Sequence, residues 1–146
     1  MREIREVIFR GKRTDNGEWV CGYYTKARYF LNKKEMHIIF EPDVEAFPHC
    51  EFPWYEEVLP ETVGQYTGLT DKNGVRIFEG DIVRHDENYH DMVISYDVEN
   101  WGGWLYEDMD DNMQAYSIYE FCLKDIAVVG NIHDNPDIIK GGGDNG

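Results

Sequence analysis

Apolar positions in this chain come in short runs, many of them alternating with polar residues, and Asn-Gly pairs or prolines punctuate the gaps. Alternation of that kind is the strand pattern, because successive side chains of a strand point to opposite faces. Glu6-Val-Ile-Phe-Arg10 and Glu18-Trp-Val-Cys-Gly-Tyr-Tyr24 flank the polar stretch GKRTDNG. This predicts a hairpin in which Asn16-Gly17 supplies the positive φ angles of a tight turn. Lys26 to Lys34 is mixed and basic, and Met36-His-Ile-Ile-Phe40 predicts a further strand. From Glu41 to Pro60 the chain carries Pro42, Pro48, Pro53 and Pro60, with Phe47, Phe52, Trp54 and Tyr55 between them. Proline at that density excludes helix and central strand, so an ordered connection with its aromatics packed on a sheet is expected.

The most patterned run is GQYTGLTDKNGVRIFEGDIV, Gly64 to Val83. It predicts a second hairpin turning at Asp71-Lys-Asn-Gly74, then a kink or bulge at Gly80 that starts the next strand. His85 to Asp91 is a polar loop, Met92 to Tyr96 a strand, and Trp101 to Tyr106 another. Glu107 to Asn112 is acidic and expected to be exposed. Ile118, Phe121 and Cys122 stand at i, i+3, i+4, which predicts a short amphipathic helix over Tyr116 to Lys124. Ile126 to Gly130 is a buried-type strand left through a turn at Asn131 to Pro136. GGGDNG after Lys140 is read as a disordered tail. The fold class is therefore mainly β, or β-rich α+β. It divides into an N-terminal β-rich segment with its proline and aromatic connection over residues 1–60, a main domain over 61–140, and the tail at 141–146.

Composition adds that 146 residues, 42% hydrophobic and 14% aromatic, can bury a core without staples. No apolar run approaches the roughly 20 residues that span a bilayer. MREIREVIFRGKR is charged on both sides of a very short apolar run and is not a signal peptide. A soluble protein in the cytoplasm of its cell is expected. Cys21, Cys50 and Cys122 are far apart with no CxxC, and read as buried, inert thiols of a reducing compartment.

Charge changes the picture more. Fourteen Lys and Arg against 29 Asp and Glu give a net of −15, which makes nucleic acid an unfavourable partner for the chain as a whole. The charge is also lopsided. Met1 to Lys34 holds nine basic and four acidic residues, a net of +5, and the rest of the chain carries −20. No Lys or Arg lies between His85 and Leu123. A basic end and an acidic body can attract other copies of the same chain, so a homo-oligomer is expected.

Motifs for chemistry fail one by one. Asp108, Asp110 and Asn112 have the first spacings of a calcium loop, but Met113 stands where its glycine must be and Tyr119 where its bidentate carboxylate must be. His85, His90 and the carboxylates between them lack the closely spaced soft ligands of a structural zinc site. There is no GxSxG, no phosphate-cradling GxxxxGK[ST], and no GxGxxG opening a helix. The chain reads as a non-enzyme without metal or cofactor. Trp101 and Trp104 bracket two glycines before the acidic loop. In a strand pair they are core or sheet-face residues. The alternative is an exposed aromatic and acidic patch, with Asp108, Asp110 and Asp111, that docks a partner.

TVGQYTGLTDKNGVRIFEGDIV, the later VVGNIHDNPDII and the opening FRGKRTDNGEWVCGYY together resemble the YopX-like family of phage and prophage proteins. The resemblance spans Val7 to Ile139 and is weakest over Lys26 to Glu57 and His85 to Ala115. It implies an SH3-like small barrel in the C-terminal part and brings no catalytic residues. Three functional readings follow: a phage accessory module that self-associates or binds a host or phage protein; an acidic mimic of nucleic acid that occupies a host DNA-binding protein; and nucleic-acid binding through Arg10, Lys12, Arg13, Lys26, Arg28, Lys33 and Lys34.

Overall fold

Both Asn-Gly turns form in this protein, whose computed structural model describes residues 6–40, 55–86, 91–99, 102–108, 115–120 and 122–140. Gly17 (φ 73°) and Gly74 (φ 79°) take the left-handed backbone, whereas neither Asn16 nor Asn73 does. Asn16 acts through its side chain instead, accepting a hydrogen bond from the Glu18 N–H at 2.9 Å. Each turn thus needs only one glycine, and a polar side chain of the turn, Asn16 in the first and Asp71 in the second, satisfies backbone donors.

The chain divides into two compact units, Met1–Tyr66 and Thr67–Gly146. In the first, β1 (Phe9–Lys12), β2 (Trp19–Arg28), β3 (Glu35–Phe40), β4 (Tyr55–Glu57) and the start of β5 (Gly64–Thr70) make an antiparallel sheet in the order β4-β3-β2-β1-β5. Ile39 and Val58 are fully buried on it. Gly11 and Gly22 make the room: a Cβ on Gly11 would lie 3.1 Å from the Val58 Cβ and 3.3 Å from the Ile39 Cδ1. A 3-10 turn at Pro60–Thr62 is tied to β1, with the Thr62 hydroxyl accepting from the Lys12 N–H at 2.9 Å and donating to the Leu59 carbonyl at 2.6 Å. Within the proline-dense span, Tyr55–Glu57 is a strand at the sheet's edge, where lost ladder bonds cost nothing. Phe47, Phe52 and Trp54 lie outside the described residues.

In the second unit the rest of β5 runs beside β6 (Arg76–Phe78). Then β7 (Asp81–His85), β8 (Asp91–Tyr96), β9 (Trp104–Asp108), β10 (Ala115–Ser117) and β11 (Ile126–Asn131) form a second antiparallel sheet in the order β10-β9-β8-β7-β11. Gly80 turns the chain into β7 with φ 90°, as its position between two strands predicts. The core gathers Ile77, Val83, Met92, Ile94, Ile118 and Ile126 around Tyr106, which has no exposed surface. Burial pushes the Tyr106 phenol up to about 12, and the nearby Cys122 adds to the shift.

Three expectations need correction. Tyr116–Lys124 is not an amphipathic helix: it is the end of β10 followed by 3-10 turns at Ile118–Glu120 and Leu123–Asp125. Ile118 is buried from the start of the first 3-10 turn, Cys122 is exposed and Phe121 lies outside the described residues, so the i, i+3, i+4 spacing there does not mark a helical face. The α-helix, α1, lies instead at Pro136–Lys140, where Pro136 stands in the first turn with its φ already helical. The two sheets are open, and among the described residues no barrel closes. Cys21 and Cys122 are both exposed, not buried; Cys21 lies on the side of β2 away from Gly22 and Ile39, and Cys50 is outside the described residues.

Candidate interaction surfaces

The carboxylates and amides of the most patterned words work on the backbone. Asp71 is buried, and its Oδ1 accepts from the N–H groups of Asn73 (2.8 Å) and Val75 (2.9 Å), while Oδ2 accepts from the Val128 N–H on β11 (2.8 Å). Burial opposes its charge, but the N–H groups of Val128, Val75 and Asn73 outweigh burial and hold its pKa below the usual aspartate value. Asp81, also buried, accepts from the Phe78 N–H at 2.7 Å across the Gly80 turn. In the NIHDNP word, Asn131 accepts from the His133 and Asp134 N–H groups, and Asn135 from the Asn131 N–H. These side chains are occupied in making turns.

Of the aromatic and acidic patch, Trp104 and Asp108 fall among the described residues, and Trp101, Asp110 and Asp111 lie outside them. Trp104 opens β9, half-buried against the second unit's core, with Tyr96 edge-on at 5.1 Å between ring centroids. It is a sheet-face residue whose outer edge meets Tyr96. Asp108 ends β9 opposite Met92 and is half-buried. At the other end of this ladder, opposite Trp104, Tyr96 ends β8 and Asp97, Val98 and Glu99 begin the following turn. Val98 is 82% exposed and Tyr96 is also exposed.

The basic residues of the first unit split into groups. Arg13 lies against Asp15 at 2.7 Å and Glu56 at 3.3 Å, and Lys26 against Glu35 at 3.4 Å. The Asp15 carboxylate pairing holds the Arg13 guanidinium more firmly charged, and the same hydrogen bond lowers the Asp15 pKa. Arg10 and Lys12 share one face of β1 and both lie over the Trp19 ring, 4.7 and 5.4 Å from its centroid. Arg28, Lys33 and Lys34 are exposed, and no carboxylate of the described residues pairs with them.

Those three cations flank a feature that sequence reading missed. β4 pairs with β3 only from Ile38 to Phe40, and β1 pairs with β2 only from Trp19 to Gly22. Beyond those positions the Val58 N–H still donates to the His37 carbonyl at 2.8 Å, and past it β2 and β3 pair only with each other, at Ala27↔Met36 and Arg28↔Glu35. The result is a two-stranded arm that among the described residues has no neighbour strand. Its tip is ordered: the Tyr29 N–H donates to the Lys34 carbonyl and the Lys33 N–H to the Tyr29 carbonyl, both at 2.8 Å, with Lys33 at φ 60°. Tyr29, Phe30 and Leu31 are exposed there, Phe30 by 74% and Leu31 by 69%. The available signal was the apolar triplet itself, set between Arg28 and Lys33 where a turn should be polar.

Among the described residues no three His, Cys, Asp or Glu side chains converge as a metal site requires. None of their helices is long and apolar enough to cross a membrane. No curated protein matches the chain. Among solved structures it is similar to the crystal structure of protein EF1440 from Enterococcus faecalis, at 26% identity and a TM-score of 0.50, over 92% of this chain and 98% of that one. The family model of the YopX protein matches residues 8–140, from the residue before β1 to the last residue of α1. With that span covered, the chain belongs to the YopX protein family.

Proposed function

We propose that this protein is a non-enzymatic interaction module that works by associating with copies of itself, as a phage or prophage accessory protein in the cytoplasm of a bacterial host. The observation that carries the reading is the pairing, on one chain, of a basic arm with an apolar tip and an acidic remainder of net −20 beyond Lys34. Opposite charge steers encounter, and exposed aromatic and aliphatic side chains supply the burial that holds a contact once made. In the second sheet β11 returns, after a 3-10 turn, to lie beside β7, the strand that opens the sheet. We read it as an open variant of an SH3-like small barrel, although a fold by itself does not assign a function.

The two other readings have less support. A mimic of nucleic acid needs unpaired carboxylates in an array, yet Asp86 is bound to Lys72 and Asp91 to Arg84, each at 2.7 Å. Binding of nucleic acid through the basic segment is weakened by the carboxylates already on Arg13 and Lys26. Light scattering after size exclusion, at rising protein concentration and in low and high salt, tests the proposal. A mass above that of one chain at low salt, falling as salt screens the charges, is expected. A single-chain mass at every concentration and salt overturns it and makes a host or phage protein the partner to seek.

A further inference from the structure

We infer that the β2–β3 arm of one copy docks on the end of β8, at Tyr96 to Glu99, of a second copy. The inference rests on the self-association just proposed and names the two surfaces that meet. The arm presents Phe30 and Leu31, the most exposed apolar side chains among the first unit's described residues, with Arg28, Lys33 and Lys34 around them. A hairpin that leaves its sheet gains little stability from its own two strands. Three solvent-facing apolar residues at its tip are a cost in water that a partner surface removes.

The end of β8 is complementary in both respects. Tyr96 and Val98 stand exposed, Tyr96 resting edge-on against Trp104, and Asp97 and Glu99 alternate with them. The turn belongs to the stretch without any Lys or Arg, so its own segment sets no cation against a basic arm. Apolar tip against apolar ridge, cations against carboxylates, is the arrangement in which a small contact is both favourable and specific. Each copy has one arm and one acceptor, so the contact is heterologous, and the rotation between copies decides whether it closes or continues as a filament.

Charge exchange tests it, using the full chain in sedimentation velocity at low salt. One variant carries Lys33→Glu and Lys34→Glu, another Asp97→Lys and Glu99→Lys, and a third Phe30→Ser and Leu31→Ser. Five of the six positions are exposed, whereas Asp97 is half-buried and its carboxylate accepts from the Glu99 N–H at 3.2 Å, so circular dichroism checks that each variant is folded. Each variant alone is expected to associate at least about tenfold more weakly than the wild type, and an equimolar mixture of the two charge variants to recover association, because each then offers the other an opposite charge. If the wild type associates and the charge variants associate equally well, the arm contact is wrong while self-association stands. If the wild type stays a single chain, both fail. Wild-type protein that stays a single chain yet binds anionic lipid vesicles or duplex DNA through Phe30 and Lys33 would give the arm a different occupant and overturn the inference.

Discussion

A Cβ on Gly22 of β2 would run into the Phe40 backbone carbonyl of β3, with Ile39 3.1 Å away. A carbonyl in a sheet cannot swing aside as a flexible side chain can, so the strand itself must shift. Gly22→Ala is therefore expected to lower the unfolding free energy by about 3 kcal/mol or more. Gly17→Ala meets nothing within 4 Å and is charged only for its positive φ, about 1 kcal/mol. Urea unfolding of the two variants checks the difference, and equal losses would mean that close packing at Gly22 carries no weight. The two glycines look alike in sequence. What separates them is a neighbouring strand thirteen or more positions away, which no local pattern encodes.

At the scale of elements, Asp71 joins a hairpin turn to β11 through three backbone donors. Its folded form gives up its proton more readily than an unfolded aspartate does. It therefore adds stability at pH values above the ordinary aspartate range, and that stability is lost as pH falls through the lower folded value. Asp71→Asn keeps the shape but turns an amide toward the Val128 N–H, leaving a buried donor facing a donor. A loss of about 2 kcal/mol at pH 7 is expected, shrinking below about pH 4 as the wild-type carboxylate is neutralised. Chemical denaturation at the two pH values reads it; an undiminished gap at low pH would mean the charge contributes none of the effect. The turn word TDKNG was legible as a turn, and the strands around it were legible from alternation. The reach of its carboxylate to β11 was not, because Val128 is 57 residues on. The same limit explains the helix: Ile118 faces the core from 3-10 and extended chain, so a helical spacing over one turn could not tell the two apart.

For the molecule as a whole, net charge decides solubility as much as contact does. The chain carries −15 at neutral pH and a sequence pI near 4.5. Self-repulsion between copies fades as pH falls toward that value, while the basic residues of the arm stay charged. Turbidity is therefore expected to peak near pH 4.5 and clear on either side. A peak elsewhere would mean that a local patch, and not the total charge, governs precipitation.

By itself the sequence determined the class of the fold, most strand positions, both hairpin turns and the family, because alternation, Gly at left-handed turns and charge composition act over a few residues. It also set the imbalance of charge between the first 34 residues and the rest. Tertiary structure decided the arm, the exposure of Phe30 and Leu31, the packing of Trp104 and the occupation of Asp71 and Asp81. Each of these depends on which strands lie side by side and where a neighbour ends, and that follows from the whole set of contacts between residues far apart in the chain.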